Sequence, residues 1–135
     1  MIFVDTCVVV DVIDADPTWA DWSRKQLDLW ASRGPLVINA IVYAELSIGF
    51  DTIEAVDDIV ERAGLEFREM PRDAAFLAAK AWQLYKKRGG VRTGVLSDFF
   101  IGAHAAVLGA PVLTRDVGRY RSTFRDLRLV TPQPA

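Results

Sequence analysis

Short apolar segments alternate with longer amphipathic ones along almost the whole chain, and this order limits the folds that it can adopt. Each apolar segment is too short for a helix, and most are followed by apolar residues at helical spacing. Strands that alternate with helices form a mainly parallel sheet covered by helices on both faces. The sequence therefore predicts an α/β fold. The predicted strands are residues 2–4, 36–38, 65–70, 112–113 and 127–130.

The predicted helices start at residues that favour helix termini. Asp16 caps the second helix and Pro17 occupies its first position, while Asn39 and Ser97 cap two later helices. The helices are predicted from residue 6, from 16 to 33, and over 39–49, 53–63, 72–88, 97–108 and 118–123. We expect a single domain over residues 1–135, with a loose tail at 131–135.

Composition excludes several classes of protein. A chain of 135 residues that is 51% hydrophobic can bury a core without disulfides. The lone Cys7 excludes an internal disulfide and a multi-cysteine zinc site, and it fits a reducing compartment. The amino terminus lacks the basic lead and apolar core of a secretory signal, and residues 99–113 are too short for a membrane span. We therefore expect a cytoplasmic protein.

The net charge of −2 hides an asymmetry between the two halves of the chain. Residues 1–70 hold 14 acids and 5 bases, giving −9, and residues 71–135 hold 4 acids and 11 bases, giving +7. The net charge of −2 argues against nucleic acid as a partner, because nucleic-acid-binding proteins are typically basic. The basic second half of the chain, however, could face a polyanion. The alternative is that these bases are ordinary solvated helix ends and loops.

Four acidic side chains stand in apolar surroundings. Asp5 and Asp116 each follow a predicted strand, where an open α/β sheet binds its ligands. Glu45 lies in an apolar helix, and Asp98 lies at the start of another. Like charges about 4 Å apart repel by roughly 4 kcal/mol at an effective dielectric near 20. A cluster of these acids would favour a divalent cation, and hard oxygen ligands suit Mg²⁺ or Mn²⁺.

The chemistry of such a cluster is metal-assisted hydrolysis of a phosphodiester. With one histidine and one cysteine, the chain has few ligands for a zinc site and only one candidate histidine for a Ser/His/Asp triad. Each acid also has a structural alternative, since Asp5 would cap the first helix, Asp98 would favour the helix dipole and Asp116 would stabilise a turn. Glu45 is the hardest to explain in this way, and the joint placement of the four favours a functional site.

Four segments in this order resemble the PIN-domain ribonucleases, and especially the toxins of VapBC-type toxin–antitoxin pairs. The resemblance covers nearly the whole chain and implies a three-layer α/β/α fold with endonucleolytic cleavage of RNA. It also implies that Mg²⁺ or Mn²⁺ is bound by Asp5, Glu45, Asp98 and Asp116. The segments are Phe3-Val4-Asp5-Thr6, Ala44-Glu45-Leu46 with Gly49, Leu96-Ser97-Asp98 with Ile101-Gly102-Ala103-His104-Ala105, and Pro111-Val112-Leu113-Thr114-Arg115-Asp116.

Residues beside the acids complete the expected site. Thr6 matches the threonine after the first acid of the family, and Thr114 matches a frequent hydroxyl beside the last acid. Arg115 and Arg119 are the expected phosphate contacts. Cys7 departs from the asparagine or serine common in the family, and a thiol is a weaker hydrogen-bond partner for orienting Asp5 or a metal-bound water.

The resemblance also implies partners. Proteins of this family commonly form homodimers, and an antitoxin segment docks beside the early helices and often sends an arginine into the acidic site. The tryptophans Trp19, Trp22 and Trp30 fit either a core stripe or such a docking groove. His104 does not share a helix face with Asp98, so we expect a packed or solvated histidine.

Rival functions are weaker. A haloacid dehalogenase-type phosphotransferase needs a second aspartate where Cys7 stands, and a receiver domain needs paired acids and a lysine later than Lys87. The alternative that stays open is a catalytically silent PIN scaffold that binds RNA or a protein partner.

Overall fold

A five-stranded sheet, all of whose strand pairs are parallel, forms the centre of the protein. The structure is a computed structural model, and it describes residues 1–92, 96–121 and 123–132. The predicted loose tail falls largely on residues outside these ranges. The strands lie in the order β3-β2-β1-β4-β5. They are β1 (Ile2–Val4), β2 (Leu36–Ile38), β3 (Leu65–Phe67), β4 (Val112–Leu113) and β5 (Leu129–Val130).

Helices connect the strands and flank the sheet. None of those in the described ranges is long and apolar enough to cross a membrane. The helices are α1 (Thr6–Ile13), α2 (Ala20–Ala31), α3 (Ala40–Ser47), α4 (Ile53–Arg62), α5 (Arg72–Lys87), α6 (Ser97–Leu108) and α7 (Val117–Tyr120).

Burial of the inner strands shows that both faces of the sheet are covered. Every residue of β1, β2 and β4 is buried, and successive side chains of a strand point to opposite faces. Such strands form continuous apolar runs because neither face meets water. The predicted three-layer α/β/α fold with a parallel sheet is confirmed.

The strand order fixes where a ligand would bind. From β1 the chain builds outward through β2 to β3, and it then crosses to the other side of β1 to form β4 and β5. The crevice at the carboxyl ends of β1 and β4 is therefore the topological switch point, where open α/β sheets bind ligands. Asp5 and Thr114 directly follow these two strands.

Two helix starts differ from the prediction. Helix α2 begins at Ala20, because the Asp16 carboxylate accepts the backbone N–H groups of Thr18 and Trp19 at 2.8 Å each and caps a turn instead. Ser97 is the first residue of α6 and does not cap it; Leu96 occupies the N-cap position. The predictions of a helix from residue 16 and of a Ser97 cap were wrong.

Other elements agree with the prediction, end early or, in the case of β5, begin late, at Leu129 and not at residue 127. Asn39 caps α3, since its side-chain oxygen accepts the N–H groups of Ile41 and Val42 at 3.0 and 3.1 Å. Strand β3 ends at Phe67, three residues before the predicted end. Trp22 and Trp30 pack against the main core without being fully buried.

Helix α6 carries Asp98 and ends at a glycine in the left-handed conformation. Gly109 has φ +68° and stands at the C-cap, in a left-handed conformation that residues with a side chain adopt only at an energetic cost. Gly118 in α7 has no such conformation, and the space that a Cβ atom would occupy there is open. The backbone conformation therefore favours glycine at position 109 but not at position 118.

Replacing Gly109 with alanine should lower the free energy of unfolding by about 1 kcal/mol, because alanine pays a steric penalty in the left-handed region. The matched variant Gly118→Ala should cause no loss of stability, since it fills open space on a helix. Chemical denaturation of both variants checks the difference. Equal stability of the two variants would contradict this role for Gly109.

The single histidine, His104, is fully buried. The ring of His104 is inaccessible to solvent, packs edge-on against Phe3 and places Nδ1 3.2 Å from the side-chain nitrogen of Asn39. Its Nε2 has no hydrogen-bond partner among the described residues. Burial lowers the pKa of His104, and the charge of Arg68 acts in the same direction. The folded protein therefore favours neutral histidine.

A lowered pKa in the folded state predicts that acid destabilises the protein. Below the unfolded-state pKa of about 6.5 the unfolded chain binds a proton that the folded one resists, so stability is lost as the pH falls from there. We expect the free energy of unfolding to drop as the pH falls below about 6.5 and towards the lowered pKa of the folded state. His104→Gln removes the only histidine and should flatten this slope. An unchanged slope in the variant would assign the effect to other groups.

Candidate active site

Asp5 lies at the carboxyl end of β1 and is fully buried. One carboxylate oxygen accepts the backbone N–H of Thr6 at 2.8 Å, which caps α1 as one structural alternative predicted. The other oxygen accepts the hydroxyl of Thr114 at 2.8 Å. A buried carboxylate is costly unless it is hydrogen-bonded or paired, so these contacts hold Asp5 in one orientation.

Thr114 links the ends of the two central strands. Its hydroxyl donates to Asp5 and accepts the backbone N–H of Asp116 at 3.0 Å. Asp116 is exposed at the N-cap position of α7, and within the described residues its side chain makes no capping hydrogen bond. The carboxylate of Asp116 is thus left facing the solvent side of the crevice.

Glu45 reaches the same region from α3. One of its oxygens accepts the hydroxyl of Thr6 at 2.7 Å, and the other accepts the hydroxyl of Ser97 at 3.3 Å. Thr6 therefore joins Asp5 and Glu45, through its backbone N–H and its hydroxyl respectively. Ser97 contributes to the site as a hydrogen-bond donor and not as a helix cap, a role that its sequence position did not indicate.

Asp98 is the second residue of α6, and only 6% of the residue is exposed. Burial raises the pKa of Asp98, and the nearby Asp5 carboxylate acts in the same direction, while Arg119 and Arg92 oppose the shift. The Nη1 atom of Arg92 lies 4.0 Å from the Asp98 carboxylate. A cleft of about 300 Å³ opens beside this group; its lining residues are Arg92, Leu96, Ser97, Asp98, Asp116 and Arg119.

Arg119 stands among the acids. Its Nη1 lies 3.7 Å from Asp5 and its Nη2 lies 3.6 Å from Glu45, and it donates a short hydrogen bond to the hydroxyl of Ser97. Burial disfavours the charged guanidinium, but surrounding acidic groups, of which Asp5 contributes most, together outweigh burial and raise the pKa of Arg119. The residue predicted as a phosphate contact is therefore a counter-cation of the cluster in this structure.

Arg115 is bound to Asp11 and not to the four predicted acids. Its guanidinium donates two hydrogen bonds, of 2.8 and 3.0 Å, to the buried carboxylate of Asp11, and it lies over the ring of Trp19. Ser23 also donates to Asp11, at 3.0 Å. This geometry weakens the case for Arg115 as a phosphate contact. Sequence reasoning missed Asp11, although a lone acid within the apolar helix α1 was the available signal.

Cys7 is near the cluster without being a nucleophile. Its Sγ lies 3.7 Å from both the Asp5 carboxylate and the Thr114 hydroxyl. Burial raises the pKa of Cys7, and the charge of Asp5 raises it further. The thiol therefore stays protonated near neutral pH and acts as a weak donor towards Asp5.

The carboxylates of the four predicted acids are suitable ligands for a divalent cation, but in this structure they lie too far apart to bind one together. Their oxygen atoms are the ligands that Mg²⁺ and Mn²⁺ prefer. Among the described residues, however, no three acidic, histidine or cysteine side chains stand close enough to bind one ion. The guanidinium of Arg119, which contacts Asp5 and Glu45, occupies part of the space between them.

Known structures share this fold at low sequence identity. A chain of VapBC2 from Rickettsia felis, bound to a DNA fragment from its promoter, matches with a TM-score of 0.77 and 22% identity over 98% of this chain and 100% of that one. DNA-bound VapBC from Salmonella typhimurium gives 0.74 and 22% over 97% and 98%. FitAcB from Neisseria gonorrhoeae gives 0.64 and 22% over 96% of each chain.

Sequence comparison identifies the family. No curated protein matches the chain significantly. The family model of the PIN domain matches residues 2–123, which include every strand except β5 and all four acids. This chain belongs to the PIN domain family.

Proposed function

We propose that this protein is a metal-dependent endoribonuclease and the toxin of a VapBC-type toxin–antitoxin pair. One observation carries the proposal. Acids from separate elements meet around a single guanidinium at the switch point of the sheet, since Arg119 contacts Asp5 and Glu45 and shares a cleft with Asp98 and Asp116. Membership of the PIN domain family supports a nuclease.

Asp5, Glu45, Asp98 and Asp116 are the residues that would hold Mg²⁺ or Mn²⁺. When bound, the ion would polarise the phosphodiester and lower the pKa of an attacking water. The chain supplies orientation: Thr114 holds Asp5 through a hydrogen bond of 2.8 Å, and Thr6 holds Glu45 through one of 2.7 Å. These neutral donors fix the carboxylates without neutralising them.

A polyanionic substrate fits the charge around the cleft. Arg92 lies at its rim with 61% of its side chain exposed, and Arg119 lies inside it. Both belong to the half of the chain with a net charge of +7. Guanidinium groups bind phosphate strongly. The choice of RNA over DNA rests on the resemblance to PIN-domain ribonucleases.

The comparisons support one proposed partner, an antitoxin protein. The three similar structures described above are complexes named VapBC and FitAcB, and the R. felis and S. typhimurium complexes contain DNA. We infer an antitoxin protein as the partner of this chain, and we retain a homodimer as the expected assembly. Exposed apolar side chains are available for such contacts; the most exposed ones in the described ranges are Ile48, Ile53, Phe76 and Val91.

Purified protein should cleave total cellular RNA with Mg²⁺ or Mn²⁺, and EDTA should abolish cleavage. Asp98→Asn should lower the rate at least about a hundredfold, because it removes a charged ligand from a metal worth several kcal/mol of transition-state stabilisation. The matched control is Asp21→Asn, since Asp21 also occupies the second position of a helix but has 90% of its side chain exposed. It should cleave like the wild type.

The outcome of this experiment separates the two candidate functions. Cleavage that is lost with EDTA and with Asp98→Asn, and kept with Asp21→Asn, supports the nuclease. The absence of cleavage by folded, inhibitor-free protein would instead support a silent scaffold, which the present spacing of the acids also fits. Where cleavage occurs, mapping the cut ends of the RNA would give the substrate.

A further inference from the structure

We propose that Arg119 is an internal counter-cation that shares its carboxylates with the metal, so that metal binding requires its guanidinium to leave Asp5 and Glu45. This inference rests on the proposed function and concerns the regulation of the same site. Its starting point is that Arg119 lies within 3.7 Å of both carboxylates. A site already holding a cation binds a second one less tightly.

The contacts of Arg119 with the acids are loose. Charge-assisted hydrogen bonds between guanidinium and carboxylate are about 2.7–2.9 Å long. The two distances from Arg119 to Asp5 and Glu45 are 3.7 and 3.6 Å, and its short hydrogen bond goes to the neutral hydroxyl of Ser97. General electrostatic attraction, more than directed hydrogen bonding, therefore holds Arg119 at the two carboxylates.

Arg115, four residues earlier, is an example of an arginine that is held in place by close hydrogen bonds to a carboxylate. It donates two hydrogen bonds, of 2.8 and 3.0 Å, to a single carboxylate that is 2% exposed. Its bidentate pair matches the planar geometry of both groups. Arg119 has no such pair with either acid, so a competing cation displaces it at lower cost.

The neighbouring cleft offers space into which the Arg119 guanidinium could move. Tyr120, its neighbour in α7, is fully buried and anchors the backbone, whereas 20% of the Arg119 side chain is exposed. The cleft beside it is lined by Asp98 and Asp116 and opens to solvent. Rotation of the side chain towards this opening would release Asp5 and Glu45 and would present the guanidinium to a phosphate.

Metal affinity in the absence of RNA provides the test. Binding of Mn²⁺ to wild type, Arg119→Gln and Arg121→Gln should be measured by calorimetry or by the electron paramagnetic resonance of free Mn²⁺. Removing the competing charge should tighten binding by Arg119→Gln roughly tenfold. Arg121→Gln makes the same change in net charge at an exposed residue and should stay within about twofold of wild type.

Thermal unfolding gives a second readout that does not depend on activity. In EDTA, Arg119→Gln should melt below wild type, because Asp5 and Glu45 lose their counter-cation. Saturating Mn²⁺ should narrow that gap, since the ion then compensates the same carboxylates in both proteins. Arg119→Lys keeps the charge and should restore both the metal-free stability and the weaker Mn²⁺ binding.

The outcomes distinguish this inference from the proposed function. Wild-type Mn²⁺ binding that Asp98→Asn weakens, together with equal or weaker binding by folded Arg119→Gln, would overturn the role of Arg119 and leave the metal site standing. If neither wild type nor Arg119→Gln binds Mn²⁺ in a way that depends on Asp98, the metal site itself fails, and this inference fails with it.

Discussion

The site depends on keeping the Asp5 carboxylate satisfied in a position with no access to water. Burial of an unpaired charge is prohibitive, so the surrounding structure must supply donors and a cation. The donors come from Thr6 at the start of α1 and from Thr114 at the end of β4, and the cation is Arg119. Because these groups come from different parts of the chain, the carboxylate can be satisfied only when β1, β4 and α7 are correctly assembled.

Neutral hydroxyl groups then connect the remaining acids to this centre. Thr6 donates to Glu45, Ser97 donates to the other oxygen of Glu45, and Thr114 accepts from the backbone of Asp116. Each of these residues is small, so it fixes a carboxylate without filling the cleft. The arrangement preserves negative charge at the edge of the sheet, which a purely structural cluster would have no reason to retain.

The sequence was sufficient to predict the fold, because short, continuous apolar segments indicate buried strands and the amphipathic segments between them indicate helices. It also indicated the edge at which Asp5 and Asp116 follow their strands. It could not separate Arg115 from Arg119, since both are arginines beside the last acid and only the buried Asp11 decides which one is fixed. The start of α2 was misplaced because Asp16 capped a turn that a sequence cannot distinguish from the first turn of a helix.

Charge explains why one arginine can serve both as counter-cation and as phosphate contact. With all four carboxylates ionised, Arg119 and the more distant Arg92 leave the cluster with a net negative charge, and a phosphodiester would add another. In the proposed exchange, a divalent ion at Asp5 and Glu45 would place two positive charges there and would keep the guanidinium at the cleft, which would lower the net negative charge that an arriving phosphate meets. The proposal thus assigns the phosphate contact predicted for Arg119 and its place as a counter-cation to two successive positions of one side chain, and the loose contacts of 3.6 and 3.7 Å would allow the exchange.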